Sequence, residues 1–323
     1  MIKLTVARNH GMPQAMSKVS NLYTILRNPG TVAATHSGSF HADEVLAAAS
    51  LRLANPSLTI LRTRDQAQLD AADVIFDVGR VFDPGTGRFD HHQLDFREAR
   101  ANGIPFSSFG LIWRELGTEL CGSAAAAARV DRLLVQGVDA IDCGVTLSRE
   151  TPLATVMSIP SIIGGFNPGW QDDASPEARN EAFERAVSWA SSVLKNAIRE
   201  ASGLEAARAV VKQGLLLEEG RLLVLDNGVP WKEAVLGSPE HQHLLYVISP
   251  DTQTKWHVHT VPDYAGSFSN RKSLPAAWAG LDGEELDKVI GMTGCVFCHR
   301  ARFVAGHTTK DGALKMAQLA LQD

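Results

Sequence analysis

Between residues 31 and 77, short apolar runs alternate with segments of helical spacing, and this alternation restricts the chain to one class of fold. Residues 31–35 read as a short buried strand, and residues 45–54 are apolar at helical spacing until Asn55-Pro56 stops them. Residues 58–62 form a second strand, 65–72 a short helix and 73–77 a third strand. Strand, helix, strand, helix, strand is the order of a parallel α/β sheet. Such sheets bind ligands beyond the C-terminal ends of their strands. His36 and Asp77 fall at two of those ends, on neighbouring loops.

The turn sequence Asp83-Pro-Gly-Thr-Gly87 leads into Arg88-Phe-Asp-His-His92. Helices are expected at about 107–121 and 123–142, followed by a long one at about 176–213. Short strands take over at 222–225, 244–248 and 256–261, which places a domain boundary near 215. The expected organisation is an N-terminal arm (1–30), a mainly parallel-sheet catalytic domain (31–215) and a smaller α/β C-terminal domain (216–323), with no internal repeat. The first 42 residues carry Lys3, Arg8, Lys18 and Arg27 but no Asp or Glu; an N-terminal strand or arm is preferred to an organelle transit segment.

Composition removes several classes of function. No apolar run approaches the ~20 residues needed to cross a bilayer. A net charge of -5 argues against a protein that coats long nucleic acid by neutralising phosphates, but not against a short anionic substrate held by metals. Cys121, Cys143, Cys295 and Cys298 are too scattered for a disulfide framework, so a reducing, cytoplasmic setting is expected.

Four segments carry the chemistry. His36-Ser-Gly-Ser-Phe-His41-Ala-Asp43-Glu44 offers three ligands in a loop between a strand end and a helix start. Its mixture of His and Asp suits Mn²⁺ or Zn²⁺ better than Ca²⁺, although Asp43 alone could be a helix cap. Asp77 ends an apolar strand, where an unpaired carboxylate is costly to bury. Asp90-His91-His92-Gln93 is extended, so its two imidazoles point to opposite sides: one can bind metal while the other faces substrate, with Asp90 orienting an imidazole. Asp139 and Asp142 lie three apart on one helix face; Asp142 is preferred because it is nearer the break at Gly144, with Asp139 in reserve. About six such ligands can hold two cations sharing bridging carboxylates. A pair ~3.5–4 Å apart stabilises both the attacking and leaving oxygens at phosphorus.

In order and spacing, His-x4-His-x-Asp-Glu, Asp-Val-Gly, Asp-His-His-Gln and Val-Asp-Ala-Ile-Asp-x-Gly resemble the DHH phosphoesterase superfamily. Within it they are most similar to the melanocyte-proliferating-gene family of metal-dependent hydrolases, some of them 3′–5′ RNA exonucleases. The resemblance runs from about Thr31 to Gln318 and includes Pro230-Trp-Lys-Glu233, Ser267-Phe-Ser-Asn-Arg271, Gly294-Cys-Val-Phe-Cys-His299 and the segment from Gly306 to Leu314. It implies that His36, His41, Asp43, Asp77, His91 and Asp142 are metal ligands. Asp77 and Asp142 would be bridging candidates and His92 a residue beside the metals or at the leaving group. It further implies that Arg271 and His307 grip substrate phosphate, although Ala305-Gly306-His307 stands where relatives often carry Gly-Gly-His.

The expected function is a phosphodiesterase, a 3′–5′ exonuclease on RNA or short oligonucleotides with two divalent cations, Mn²⁺ favoured. A homodimer is compatible with this. A small-molecule phosphatase for pyrophosphate or a nucleotide is the alternative, and a metal-dependent binding protein without turnover a third reading. Cys295-Val-Phe-Cys298-His299 fits the haem-attachment pattern but reads better as a buried strand. His257 and His259 share one strand face, and Trp231, Trp256 and Trp278 are assigned to the core or a domain interface.

Overall fold

The computed structural model describes residues 21–147, 157–251 and 255–323. The chain divides into two compact units, one reaching to Ala201 and the other running Ser202–Asp323.

The first unit contains α1 (Asn21–Leu26), β1 (Val32–Thr35), α2 (Ala42–Ala54), β2 (Thr59–Arg62), α3 (Gln66–Asp70), β3 (Val74–Phe76), β4 (Phe82–Asp83) and β5 (Arg88–Phe89). Helices α4 (Ser108–Cys121), α5 (Ala124–Val130), α6 (Gln136–Asp142) and α7 (Ile159–Gly164) follow, and then α8 (Pro176–Lys212), along which the division between units falls. Its sheet has the order β2-β1-β3-β5-β4, parallel except for the β4–β5 pair. The order makes β1 and β3 central, so Ala33, Ala34, Val74 and Phe76 are buried on both faces. Helix α2 is buried along nearly its whole length; small residues at Ala47, Ala48 and Ala49 let it pack closely against α4. The parallel arrangement expected from the strand–helix alternation is the one observed.

Two local differences from the sequence reading have physical causes. Residues 21–30 were expected in an arm; instead Asn21–Leu26 forms a helix, because Leu22 and Leu26, one turn apart, both enter the core. Burying two leucines contributes about 3–6 kcal/mol before ordering costs. Residues 1–20 lie outside the described residues. The helix expected to run unbroken over 123–142 contains a π-helical turn at Asp131–Val135. There Arg100 draws in Asp131 at 2.6 Å, and the same guanidinium reaches Asp139 beyond the turn.

In the second unit β6 (Leu215–Leu217), β7 (Leu222–Val224), α9 (Lys232–Leu236), β8 (Tyr246–Pro250), β9 (Trp256–Thr260), α10 (Gly283–Ile290), β10 (Cys295–Cys298), β11 (Val304–His307) and α11 (Lys310–Gln322) build a sheet of order β10-β11-β9-β8-β7-β6. Only β7 and β8 are parallel. One face, with Tyr246, Ile248 and Val258, packs against Met316, Ala317 and Ala320 of α11; the other packs Leu223, Leu225 and Val247 against Trp231 and Val235. Cys295 and Cys298 are buried in the first of these cores, as a strand rather than a haem-attachment site requires. No described helix is long and apolar enough to cross a membrane.

Candidate metal centre

Strand β1 delivers His36, and the loop after it is pinned by Asn167, whose side chain accepts from Phe40 N (3.0 Å) and donates to Phe40 O (2.9 Å). The chain then enters α2 through His41, whose backbone N–H donates to both carboxylate oxygens of Glu44 at 2.8 and 2.9 Å. This is half of a capping box, and it places Asp43 and Glu44 in the first turn, where the helix dipole favours negative charge. Strand β3 delivers Asp77 with a left-handed backbone (φ 54), and Ser108 Oγ at the start of α4 donates to its Oδ1 at 3.3 Å. Strand β5 runs into Asp90, His91 and His92. Helix α6 ends on Asp142.

These loops converge. His36 Nε2 lies 3.0 Å from Glu44 Oε1 and 3.2 Å from Asp77 Oδ2. His91 Nε2 lies 3.4 Å from Asp142 Oδ2 and 3.8 Å from Asp77 Oδ1. Potential ligand atoms fall into three overlapping sets, each within 4.8 Å: His36, His41, Glu44 and Asp77; Asp77, His91 and His92; and His91, Asp142 and Cys143. Asp77 belongs to the first two sets and His91 to the last two, so the three sets adjoin one another. All of them except Glu44 line a cavity of about 1130 Å³.

The residues fit divalent cations on a more direct observation. Asp43 is 1% exposed, and neither of its carboxylate oxygens receives a hydrogen bond. Burial, together with the charges of Asp77, Glu44 and Asp142, pushes its pKa well above the carboxylate range. An unpaired buried carboxylate among three others is unstable unless positive charge enters. Without metal that charge is a proton: burial would lower the His36 pKa, but hydrogen bonds to Asp77 and Glu44 raise it to about 10. Divalent cations displace such protons when they bind.

Asp90 has a different role. Its Oδ1 accepts from His91 N (2.7 Å), His92 N (3.1 Å) and the His92 ring at Nδ1 (2.8 Å), and Oδ2 accepts from Arg80 N (2.6 Å). Burial opposes its charge, but these donors outweigh it and hold the carboxyl below its usual range. The His92 side chain, 56% exposed, is thus anchored at one nitrogen and open at the other. Asp139, the reserve ligand, is fully engaged. It accepts from Arg100 Nη1 (2.8 Å), Ser107 Oγ (2.6 Å) and Gly110 N (3.1 Å), and a Cβ at Gly110 would stand 1.9 Å from its Oδ2. Burial still raises its pKa to about 6.

Sequence reasoning assigned no role to three neighbours of the cluster: Glu44, Cys143 and Ser108. Glu44 stands in the His-x4-His-x-Asp-Glu motif itself, and its spacing of three from His41 is the capping signal that could have found it. Nothing at Ser108 or Cys143 announces itself in one dimension.

In the second unit, Arg271 Nη1 donates to the carbonyls of His241 (2.6 Å) and Leu244 (3.0 Å), leaving Nε and Nη2 without partners among the described residues. His307 is buried, with Nδ1 accepting from Thr309 N (2.9 Å) and Nε2 3.0 Å from Thr293 O. His257 and His259 share a face, ring centroids 5.5 Å apart, and Trp231 packs 5.9 Å from His259. Trp231 and Trp278 are core residues, and Trp256 is half-buried beneath Lys310.

Residues 32–321 match the family model MYG1_exonuc, Uncharacterised protein family (UPF0160). The MYG1 exonuclease of Homo sapiens is 33% identical over 322 residues, covering 89% of this chain and 85% of that protein. The MYG1 proteins of Saccharomyces cerevisiae and Caenorhabditis elegans are each 32% identical, covering 89% of this chain and 94% of their own length. A solved structure, the pGpG-specific phosphodiesterase PggH of Vibrio cholerae, aligns over 90% of this chain and 98% of its own at 14% identity and a TM-score of 0.32, too loose a likeness to carry an argument. On the family match and the length and identity shared with these relatives, the chain belongs to the MYG1_exonuc family.

Proposed function

We propose that this chain is a metal-dependent phosphodiesterase of DHH type, a 3′–5′ exonuclease on RNA or short oligonucleotides that uses two divalent cations, manganese favoured. The buried Asp43 carboxylate, with no donor and three carboxylates around it, carries this reading. The name exonuclease borne by relatives from human, rat, mouse and cattle agrees with it. His36, His41, Asp43, Asp77, His91 and Asp142 would hold the cations, with Asp77 and Asp142 as bridging candidates and Glu44 beside His36. Bound there, the cations supply Lewis acidity at the phosphoryl group and make water a nucleophile at neutral pH.

The chain's own residues supply the rest. Glu44 ties the His41 backbone to α2 and steadies the His36 ring, while Ser108 fixes one Asp77 oxygen. Asp90 anchors His92 at Nδ1, which leaves Nε2 to hand a proton to the departing oxygen. In the second unit Arg271 has donors left for phosphate, whereas His307 would first have to give up its contacts to Thr293 and Thr309. A cavity of about 1130 Å³ is larger than pyrophosphate requires and suits a nucleotide chain end.

The test is hydrolysis of an end-labelled short RNA with Mn²⁺, wild type against Asp77→Ala. Stepwise release of mononucleotides from the 3′ end is expected, with roughly a thousandfold loss in the variant. Unchanged activity in Asp77→Ala rejects the site. Cleavage of pyrophosphate or free nucleotides in preference to RNA would make the protein a small-molecule phosphatase, and tight RNA binding without cleavage a binding protein.

A further inference from the structure

The cavity that holds the ligand cluster also contains two arginines that the reading above does not use, Arg64 and Arg80. Arg64 follows β2 and Arg80 follows β3, the two strands on either side of β1 and His36. Both are exposed, whereas half-buried arginines of the first unit are committed elsewhere: Arg52 to Glu184, Arg100 to Asp131 and Asp139, Arg62 to the Gly38 carbonyl and the Phe183 ring. The Arg80 side chain makes no hydrogen bond or ion pair among the described residues, although Asp77, Asp90 and Asp142 line the same cavity. Arg64 donates only through Nε, to Ser37 O at 3.3 Å, so both its terminal nitrogens are open.

The backbone at Arg80 is also held against preference. Asp77 (φ 54), Gly79 (φ 95) and Arg80 (φ 55) are all left-handed, a conformation that costs a residue with a Cβ about 1 kcal/mol. Asn or Gly would sit there more easily. The Arg80 N–H, 2.6 Å from Asp90 Oδ2, fixes the point from which the side chain leaves, two residues before β4 begins. Two exposed guanidiniums with open nitrogens line this one cavity, and one of them leaves a strained, anchored loop, so an anionic ligand in the cavity has donors within it to meet.

Resting on the phosphodiesterase reading, we propose that Arg80, assisted by Arg64, binds a phosphate other than the one cleaved. The preferred substrate class is then an oligonucleotide with a non-scissile phosphate next to the scissile bond, the smallest being a 5′-phosphorylated dinucleotide. A planar guanidinium suits this task because it can donate two parallel hydrogen bonds to one phosphate. With the scissile group held at the His and Asp cluster, the arginines would set which neighbours accompany it.

The experiment compares a 5′-phosphorylated diribonucleotide with the same dinucleotide lacking that phosphate, in Mn²⁺, for wild type, Arg80→Ala, Arg80→Asn and Arg80→Lys. Wild type should prefer the phosphorylated form by roughly tenfold or more in kcat/KM, through KM. Arg80→Ala and Arg80→Asn should erase most of that preference, and Arg80→Lys should restore part of it. Arg80→Asn tolerates the left-handed backbone, so it separates loss of charge from distortion of the loop. A preference that survives in both variants, or an equal loss on both substrates through kcat, overturns the proposal. If wild type cleaves neither dinucleotide, the phosphodiesterase reading has failed, and fluorescence anisotropy with the labelled pair reads the receptor by itself. Tighter binding of the phosphorylated form, lost in Arg80→Asn, then supports it, and equal binding overturns it.

Discussion

The two units treat their motif residues in opposite ways. In the first, Asp43 is buried with both oxygens unpartnered, and His91 has a buried Nδ1 in the same condition. In the second, both ring nitrogens of His307 are engaged and Arg271 Nη1 holds two carbonyls. Buried polar atoms in folded proteins are almost always paired, so the unpaired carboxylate inside a cluster of ligand types is where a cation would enter, whereas His307 is already committed to its neighbours. Within the first unit the same rule separates two aspartates on one helix: Asp139 has three donors, while Asp142 faces the cavity beside His91.

The largest effect that could break this contrast is at Asp43. Asp43→Asn should lower activity by about three orders of magnitude, some 4 kcal/mol of transition-state stabilisation. The same variant should melt at a higher temperature than wild type in EDTA, because an amide that needs no proton replaces an unpartnered buried carboxyl among three others, and should lose most of the stabilisation that Mn²⁺ gives the wild type. Scanning fluorimetry with and without Mn²⁺ reads both. A variant that melts lower in EDTA would make Asp43 an ordinary structural residue.

Asp139→Ala should do the reverse. It leaves Arg100 with one of its two carboxylate partners and takes the acceptor from Ser107 Oγ, so a loss of about 3 kcal/mol in stability is expected with or without metal. Urea unfolding in EDTA measures it. A variant of normal stability that fails only to bind Mn²⁺ would return Asp139 to the ligand set.

His307→Ala sharpens the comparison from the second unit. Removing the ring takes away the acceptor for Thr309 N at the start of α11 and the contact with Thr293 O, and empties the space against which Gly312 packs without a Cβ. About 2 kcal/mol of stability should go. If melting is unchanged and KM for RNA rises instead, His307 is a phosphate ligand as its motif implies, and the contrast between the units does not hold at that residue.

How much of this was legible depended on whether the signal was local. The parallel sheet of the first unit could be read because its strands, helices and turn residues alternate within 50 residues, and the positions of His36 and Asp77 follow from strand ends alone. Glu44 sat within a motif but was masked by its second role as a cap for His41. The π-helical turn at Asp131–Val135 could not be read, because it answers to Arg100, some 30 residues away, rather than to any propensity of its own. Helix α1 was hidden for a similar reason. Six residues are too few to be stable alone, and only the core that receives Leu22 and Leu26 makes them helical. The state of Arg271 and His307 lay beyond the sequence altogether, since a motif names residue types and not the hydrogen bonds already made.

The smallest expected effect lies on β9. Burial pushes the His259 pKa down to about 4, and the charges of His257 on the same strand and Lys232 on α9 add to the shift. His257 is itself lowered by burial and by Lys255, with Asp251 opposing. A histidine held neutral in the folded state contributes stability that is complete above the ordinary value of 6.5 and declines as pH falls toward 4, because the unfolded chain takes up the proton first. His259 is not fully enclosed, so the decline should be on the order of 2 kcal/mol rather than the full value of the shift. Urea midpoints at pH 7 and pH 4.5, wild type against His259→Gln, measure it. The glutamine variant should lose less on acidification than the wild type, while the many carboxylates of the first unit change both proteins alike. Equal acid sensitivity would mean that this pair of histidines is wetter than its packing against Trp231 and Phe297 implies, and would open the second unit's sheet face to the kind of ligand that the first unit's unpaired atoms await.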